Sequence, residues 1–190
     1  MIKLYKELLI DVAFKIMNNG QFCNLLILDL NNVEYKDNYE EYVQKIKDTL
    51  SISSYIIKNG GNIIIITNDI IKDVDLDIML TKELLWNKRR TIIYNSKLRP
   101  NELLASEYNY IFWYSDNYRV NDPIPICNNF DNGKELSDFW GENVNILEMI
   151  IKMFSKENDI IFNPCDNDEM ISKYCEKLNR NYILVKNDKT

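Results

Sequence analysis

Residues 58–68 read KNGGNIIIITN, and this stretch decides the fold class. The isoleucines Ile63–Ile66 form an uninterrupted β-branched run, which is typical of a strand buried on both faces of a parallel sheet. We interpret Gly60 and Gly61 as the end of a preceding helix, because helices commonly end at a glycine in the left-handed conformation. Residues 38–58 carry apolar side chains at helical spacing, so the sequence predicts a helix, a turn and a buried strand in succession.

Helical and strand-like segments alternate on both sides of this stretch. Residues 3–17 have the apolar periodicity of an amphipathic helix, and CNLLILDL at Cys23–Leu30 has the composition of a short buried strand. Further strands are predicted at 84–86, 91–94, 108–115, 159–162 and 181–185, with helices at 143–155 and 167–178. This alternation predicts an α/β fold with a mainly parallel, Rossmann-like sheet and helices on both faces. The length of 190 residues suits one domain of ordinary size.

The composition excludes several classes of function. The chain has no histidine, and its cysteines at 23, 127, 165 and 175 show no paired short spacing. A Ser–His or Cys–His hydrolase and a histidine-bound metal centre are therefore excluded, and no metal site is expected. The first twenty residues carry charges throughout, and the apolar runs are too short to span a bilayer. We expect a cytoplasmic or otherwise intracellular protein without membrane contact.

The charge balance bears on nucleic-acid binding. The net charge is −6, whereas a domain that grips duplex DNA usually presents a basic face to the phosphates. Basic residues cluster only locally, at Lys88, Arg89, Arg90, Lys97 and Arg99. This cluster is a candidate phosphate-contacting site, and the alternative is a solvated loop or a surface that faces a protein partner. DNA is thus a partner that the net charge disfavours.

The last third of the chain carries a resemblance to a known family. From Asp159 it reads DIIFNPCDNDEMISKYCEKLNRNYILVK. This resembles the permuted (β-class) DNA adenine/cytosine amino-methyltransferases, in which a strand of the form D-x-V-L-D-P-F leads into G-S-G-T-T, a helix and L-G-R-x-F-I-G-I-E. Several residues fall in register with that pattern, namely Ile161, Pro164, Leu178, Arg180, Asn181 and Ile183, with Tyr182 at an aromatic position.

The preceding residues resemble the family's other motifs in the right order. NLLILDLNN occupies the place of the catalytic strand and its D-P-P-Y tetrad, and YEEYVQKIKDTLSISSYIIKNGGNIIIITND resembles the helix, L-K-P-G-G turn and strand that follow. LLWNKRR and SEYNYIFWYS look like the W-x-K and Y-E-x-I-L strands. The resemblance implies one methyltransferase-like domain over 1–190. Its catalytic-strand half is about 1–115, its loop-rich stretch 116–142 and its cofactor-motif half 143–190. An unrelated α/β domain is the alternative.

The residues at the implied cofactor site depart from the family pattern. The matched positions are Asn163, Pro164, Asn167, Asp168 and Lys186. Asn167 and Asp168, followed by Glu169, replace a glycine-rich turn where the backbone must approach S-adenosylmethionine closely. Lys186 replaces the acid that accepts the ribose hydroxyls, and an ammonium group has no acceptor capacity. Because each such charged hydrogen bond is worth about 1.5–3 kcal/mol, we expect no cofactor to bind in the ordinary mode.

The implied catalytic tetrad is also altered. Its positions read Asp29, Leu30, Asn31 and Asn32 in place of D-P-P-Y. In the family, acceptor oxygens hold the target amine and the aromatic ring stacks on a flipped base. Asp29 and Asn32 are the candidate catalytic residues, and Tyr35 could substitute for the missing ring. The alternative is that Asp29 merely ends a strand or caps the next turn.

These departures favour a catalytically inactive DNA methyltransferase-like protein that acts as a non-catalytic partner or interaction subunit. We expect a protein partner or a homo-oligomer, and residues 108–118 with Trp113 are a candidate contact surface unless they form a core strand. One alternative is an active S-adenosylmethionine-dependent adenine or cytosine amino-methyltransferase that uses Asp29. Another is a non-catalytic nucleic-acid-binding module that uses the basic cluster.

Overall fold

The computed structural model describes residues 2–5, 9–32, 39–68, 76–95, 108–115, 139–140, 145–165 and 170–185. Within these ranges the strands are β1 (Ile2–Tyr5), β2 (Cys23–Asp29), β3 (Ile57–Thr67), β4 (Asn87–Asn95), β5 (Tyr108–Ser115), β6 (Phe139–Trp140), β7 (Ile160–Asn163) and β8 (Asn181–Val185). The helices of eight residues or more are α1 (Leu9–Asn18), α2 (Tyr39–Ser54), α3 (Ile146–Phe154) and α4 (Met170–Lys177). A 3₁₀ turn follows β2 at Leu30–Asn32, and a π-helical turn precedes β4 at Met79–Glu83.

The strands form one eight-stranded sheet in the order β1-β8-β7-β2-β3-β5-β4-β6. Of the strands that the structure describes, all run in the same direction except β5, which is antiparallel to both β3 and β4. The prediction of a mainly parallel α/β sheet is therefore confirmed. Strands from both halves of the chain are interleaved, since β7 and β8 lie between β1 and β2.

Helices cover both faces of the sheet, and the isoleucine run shows why. Successive side chains of a strand point to opposite faces. Ile63 and Ile65 belong to a core packed beneath α1, α2 and the π-helical turn, whereas Ile64 and Ile66 belong to a core beneath α3 and α4. A strand that is buried on both faces has no polar alternation, which is why β3 reads as continuous isoleucine.

The neighbouring strands β2 and β7 mark where the chain changes direction across the sheet. Leu25 lies opposite Ile161 and Leu26 opposite Phe162, with the two strands parallel. After β2 the chain passes through α2 to β3 on one side, and after β7 it passes through α4 to β8 on the other. The connections thus diverge above the carboxyl ends of β2 and β7, a topological switch point of the kind at which open α/β sheets bind ligands.

Two predicted element boundaries are wrong. The KNGG segment does not end a helix, because α2 already ends at Ser54 and residues 58–61 lie inside β3. The pairing of β2 with β3 shifts register between Cys23 and Leu25, so the glycines belong to an irregular strand rather than to a helix end. The helix predicted at 3–17 begins only at Leu9, because Ile2–Tyr5 pair with β8 as an edge strand.

The basic cluster and its surroundings also differ from the prediction. Leu84–Trp86 do not form a strand but follow the π-helical turn, and Leu85 has a φ of 58°. Lys88, Arg89 and Arg90 lie within β4 rather than in a loop. Most of the predicted loop-rich stretch 116–142 lies outside the described residues. Among the helices that the structure describes, none is both long and apolar enough to cross a bilayer.

Candidate functional site

The carboxyl ends of β2 and β7 bring two of the predicted site residues to one edge of the sheet. Asp29 is the last residue of β2, and Asn163 is the last residue of the neighbouring strand β7. Residues two positions apart on a strand lie on the same face of the sheet. Ile27, two residues before Asp29, and Ile161, two residues before Asn163, both belong to the core beneath α3 and α4. The two side chains therefore share a face of the sheet at the topological switch point.

The carboxylate of Asp29 caps the turn that follows it. Its Oδ1 accepts a hydrogen bond from the backbone N–H of Asn31 at 3.0 Å. The 3₁₀ turn Leu30–Asn32 carries the chain away from the strand, and the side chain of Leu30 is buried beneath it. Asp29 itself is half-buried, so this hydrogen bond takes up acceptor capacity that would otherwise face the edge of the sheet.

The side chain of Tyr94, which sequence reasoning missed, reaches Asn31 in the turn that follows Asp29. Burial and then the negative charge of Asp29 raise the pKa of Tyr94, while a hydrogen bond with Asn31 opposes that shift. The side-chain amide of Asn31 also donates to Oδ1 of Asn109 at 3.2 Å. Tyr94 and Asn109 lie opposite each other on β4 and β5, which are the third and second strands from β2 in the sheet. We call the four polar residues Asp29, Asn31, Tyr94 and Asn109 the edge cluster. The phenol of Tyr94 in this cluster is neutral.

The side chain of Asn163 accepts a hydrogen bond from the backbone of the turn that follows β7. Oδ1 of Asn163 accepts the backbone N–H of Cys165 at 3.0 Å, and both Asn163 and Pro164 are buried. The side-chain oxygen of Asn163 is therefore directed at its own loop. Asn167, Asp168 and Lys186, the other predicted cofactor residues, lie outside the described residues.

The described ends of β7 and β8 carry no carboxylate. Ribose hydroxyls require acceptors, and in nucleotide-binding α/β folds a carboxylate at a strand end supplies them. Residues 163–165 and 183–185, which end β7 and β8, include no acid. Asn163 is the one residue among them with a side-chain amide, and its amide oxygen accepts the backbone N–H of Cys165. Among the described residues at this edge, the carboxylate is that of Asp29 at the end of β2, and none ends β7 or β8.

The thiol of Cys165, next to this turn, is partly buried and has a raised pKa. Burial raises the pKa of Cys165 to about 11, against a smaller opposing effect of the positive charge of Lys45. Burial also raises the pKa of Cys23 to about 12. A thiolate is the reactive form of cysteine, and few thiolates form at neutral pH when the pKa is this high.

We expect Cys165 in the folded protein to react with iodoacetamide at pH 8 roughly a hundredfold more slowly than an unhindered thiol. Mass spectrometry of the tryptic peptides would give the rate for each cysteine. The same measurement in urea serves as the control, because unfolding removes the burial. Rapid labelling of Cys165 without urea would contradict the raised pKa of this thiol.

The basic cluster lies away from the edge cluster. Nζ of Lys88 is 3.2 Å from Oδ1 of Asp77 and 4.7 Å from the centroid of the Phe112 ring. Across the sheet, Lys88 of β4 lies opposite Tyr114 of β5, and Tyr114 lies opposite Ile63 of β3. Ile63 in turn lies opposite Leu26 of β2, which precedes Asp29 by three residues.

Arg89 donates through Nε to the hydroxyl of Ser115, and Arg90 is exposed. The structure therefore places Lys88, Arg89 and Arg90 toward the amino edge of the sheet and does not bring them together with Asp29. Their role in nucleic-acid binding stays a prediction, and Lys97 and Arg99 lie outside the described residues.

The predicted contact surface at 108–118 is a core strand where the structure describes it. Ile111, Phe112, Trp113 and Tyr114 are all buried. The indole Nε1–H of Trp113 donates to Oδ1 of Asn62 at 2.8 Å, which satisfies the donor inside the core. The alternative reading as a core strand is confirmed, and residues 116–118 lie outside the described residues.

Comparison with protein-family models decides the family. A model described as "DNA methylase" matches residues 9–190 of this chain. The chain belongs to the DNA methylase family. The resemblance stated from the sequence is thereby confirmed, and the alternative of an unrelated α/β domain is wrong.

Solved structures share the fold of this chain. M1.HpyAVI is 14% identical and matches with a TM-score of 0.75 over 100% of this chain and 94% of its own, and its structure has also been determined as a complex with SAM. The cytosine-N4-specific PvuII DNA methyltransferase is 11% identical, with a TM-score of 0.71 over 98% of this chain and 82% of its own. A sequence search of curated proteins finds no match.

Proposed function

We propose that this DNA methylase family member is catalytically inactive and acts through protein contacts, as a non-catalytic partner or interaction subunit. The observation that carries the proposal is the hydrogen bond from the backbone N–H of Asn31 to the carboxylate of Asp29. The family's tetrad has proline at the position of Asn31, and proline has no N–H to donate. In the family pattern this acceptor oxygen stays available for the target amine, whereas here the backbone uses it.

The cofactor side of the edge supports the same conclusion. Asn163 directs its amide oxygen at the N–H of Cys165, and residues 183–185 end β8 without an acid. Lys186 follows them in the sequence and is a donor without acceptor capacity. Methyl transfer requires residues that hold the target amine and residues that hold the cofactor. In this chain the residues at both sets of positions differ from the family pattern.

A second candidate function is S-adenosylmethionine-dependent methylation of an adenine or cytosine amino group. One observation favours it, because Tyr94 supplies an aromatic ring beside Asp29 where the tetrad's own aromatic position holds Asn32. A ring at this place could stack on a base that has been flipped out of a duplex. The altered cofactor edge leaves this the weaker candidate.

Titration with S-adenosylmethionine and with S-adenosylhomocysteine by calorimetry, together with thermal unfolding, tests the proposal. We expect no heat of binding and no rise in the unfolding temperature at millimolar ligand. A ligand at about 100 times its dissociation constant would stabilise the fold by about 2.7 kcal/mol, which is easily detected. M1.HpyAVI, measured in parallel, is the control for the ligands.

Binding in the micromolar range would overturn the proposal and favour the second candidate. Methyl transfer to duplex DNA would then be measured with the wild-type chain and with Asp29→Ala. Loss of transfer in Asp29→Ala would assign the amine-holding role to that carboxylate. Transfer that survives the substitution would place the amine elsewhere.

A further inference from the structure

The chain contains three Asn–Gly pairs, a dipeptide at which a protein can modify its own side chain. They are Asn19–Gly20, Asn59–Gly60 and Asn132–Gly133, and the last pair lies outside the described residues. Asparagine is among the thermolabile residues. Glycine has no Cβ, so its backbone nitrogen is open to the side chain that precedes it. The two described pairs are therefore candidate modification sites.

These two pairs are alike in exposure and in backbone conformation. Asn19 and Asn59 are both exposed, and so are the glycines that follow them. Gly20 has a φ of 62° and Gly60 a φ of 76°, a range that favours glycine. A difference in reactivity between the two pairs must therefore come from the hydrogen bonds that hold their backbone.

The Asn19–Gly20 pair is held by the end of α1. The N–H of Asn19 donates to the carbonyl of Lys15 at 3.1 Å, and the N–H of Gly20 donates to the carbonyl of Met17 at 3.0 Å. Bonds of this kind satisfy the last carbonyls of a helix. The hydrogen bond of Gly20 must break before its nitrogen can attack the side chain of Asn19.

The Asn59–Gly60 pair lies in the irregular part of β3. The register of β2 with β3 passes from the pair Cys23–Ile57 directly to the pair Leu25–Asn62. On its other side, the described pairing of β3 with β5 begins at Asn62. Residues 58–61 thus have no register partner among the residues that the structure describes. The ladder of the sheet therefore does not engage the N–H of Gly60.

We propose that Asn59 is a site of spontaneous deamidation, with water as the co-reactant. The nitrogen of Gly60 loses its proton and bonds to Cγ of Asn59, and the side-chain amide nitrogen leaves as ammonia. The product is a cyclic imide, which water opens at one of its two carbonyl carbons. Addition at Cγ restores the ordinary backbone and gives aspartate. Addition at the backbone carbonyl leaves Gly60 bonded to Cγ and gives isoaspartate.

Either product adds a negative charge at the amino edge of the sheet. Asn62, three residues after Asn59, lies opposite Ser115. The hydroxyl of Ser115 accepts a hydrogen bond from Nε of Arg89. The new carboxylate therefore joins the edge that carries Lys88 and Arg89, and it lowers the local positive charge there.

The edge cluster lies at the other end of these strands. Asp29 is opposite Ile66, which follows Asn59 by seven residues along β3. Deamidation of Asn59 is therefore expected to leave the edge cluster unchanged. The inference does not depend on the proposed function.

Incubation of the folded chain in mildly alkaline buffer tests the proposal, because the glycine nitrogen must lose its proton in order to attack. Digestion at acidic pH, followed by mass spectrometry with fragmentation, assigns each deamidated residue. Asn59 is expected to react roughly tenfold faster than Asn19, since the loss of one hydrogen bond of ordinary strength corresponds to about that factor in rate. In urea the two residues are expected to react at similar rates, because unfolding removes the hydrogen bond of Gly20.

Asn59→Gln and Asn19→Gln are matched variants, because both residues are exposed and glutamine must close a larger ring. Each is made in a chain that also carries Asn132→Gln, which removes the remaining Asn–Gly pair. Ion-exchange chromatography follows the acidic species that accumulate during incubation. Asn59→Gln is expected to lose most of these species, whereas Asn19→Gln is expected to retain them.

Equal rates at the two residues of the folded chain, or faster reaction at Asn19, would overturn the proposal. An Asn59 that stays intact in the folded chain but deamidates in urea would also overturn it, because the fold would then protect this segment. Acidic species that persist at the wild-type level in Asn59→Gln would place the modification at a different residue.

Discussion

Replacing Phe162 by alanine is expected to lower the free energy of unfolding by about 3–5 kcal/mol. Phe162 is fully buried on β7, where it lies between Leu26 of β2 and Ile183 of β8. Removing the ring takes apolar surface out of the core and leaves a cavity beneath α1 and α2 that neighbouring strands cannot fill without moving. Urea unfolding with an unchanged dependence on denaturant would measure the loss directly.

Phe14→Ala provides the matched control for this prediction. It removes the same ring from a position that is 57% exposed, so the expected loss is below about 1 kcal/mol. Both variants are compared at the same protein concentration. Similar losses for the two variants would show that β7 does not occupy the centre of the core.

The sequence correctly predicted the strands that are formed by continuous apolar runs. Residues 108–115 and 181–185 form strands with the predicted bounds, and Ile63–Ile66 are buried on both faces. Continuous β-branched and aromatic runs of this length fit a buried strand and little else. The sequence predicts a helix at residues 3–5 because their local pattern continues that of α1, and only the pairing of Ile2–Tyr5 with β8 makes them a strand.

The candidate site was predictable only in part. Asp29 and Asn163 could be placed at one edge because each ends a parallel strand, and the carboxyl ends of neighbouring parallel strands meet. Tyr94 could not be placed, since its face depends on the register of β4 against β5, which shifts between Lys88 and Arg90. A shift of one residue moves every side chain beyond it to the opposite face of a sheet.

The contrast between scaffold and site shows that family membership and the proposed inactivity are compatible. The sheet order and both cores depend on many apolar side chains, and the fold matches M1.HpyAVI with a TM-score of 0.75 at 14% identity. The acceptor chemistry at the edge depends on a few residues, foremost the Asp29 turn. Function is carried by such sites rather than by the fold, so a few substitutions could remove it while the scaffold persists.

Gly61→Ala is expected to lower the free energy of unfolding by about 2–3 kcal/mol, because a methyl group cannot be accommodated there without moving backbone. A Cβ at position 61 would lie 2.4 Å from Cγ2 of Ile57, 2.9 Å from the carbonyl oxygen of Lys58 and 3.0 Å from that of Asn24. The Ile57 methyl is buried, and the two carbonyls belong to the irregular pairing of β2 with β3, where the register shifts. Relieving the clash would therefore disturb the strand that carries Asp29.

Gly20→Ala separates this crowding from the general effect of removing a glycine. A Cβ at position 20 would meet nothing within 4 Å, but Gly20 has a φ of 62°, so alanine there carries a backbone cost of about 1–2 kcal/mol. Both variants restrict the unfolded chain equally, so the difference between them reports contacts in the folded state. Urea unfolding should therefore rank Gly61→Ala as the less stable variant. The reverse order would mean that β2 and β3 do not approach each other closely at Gly61.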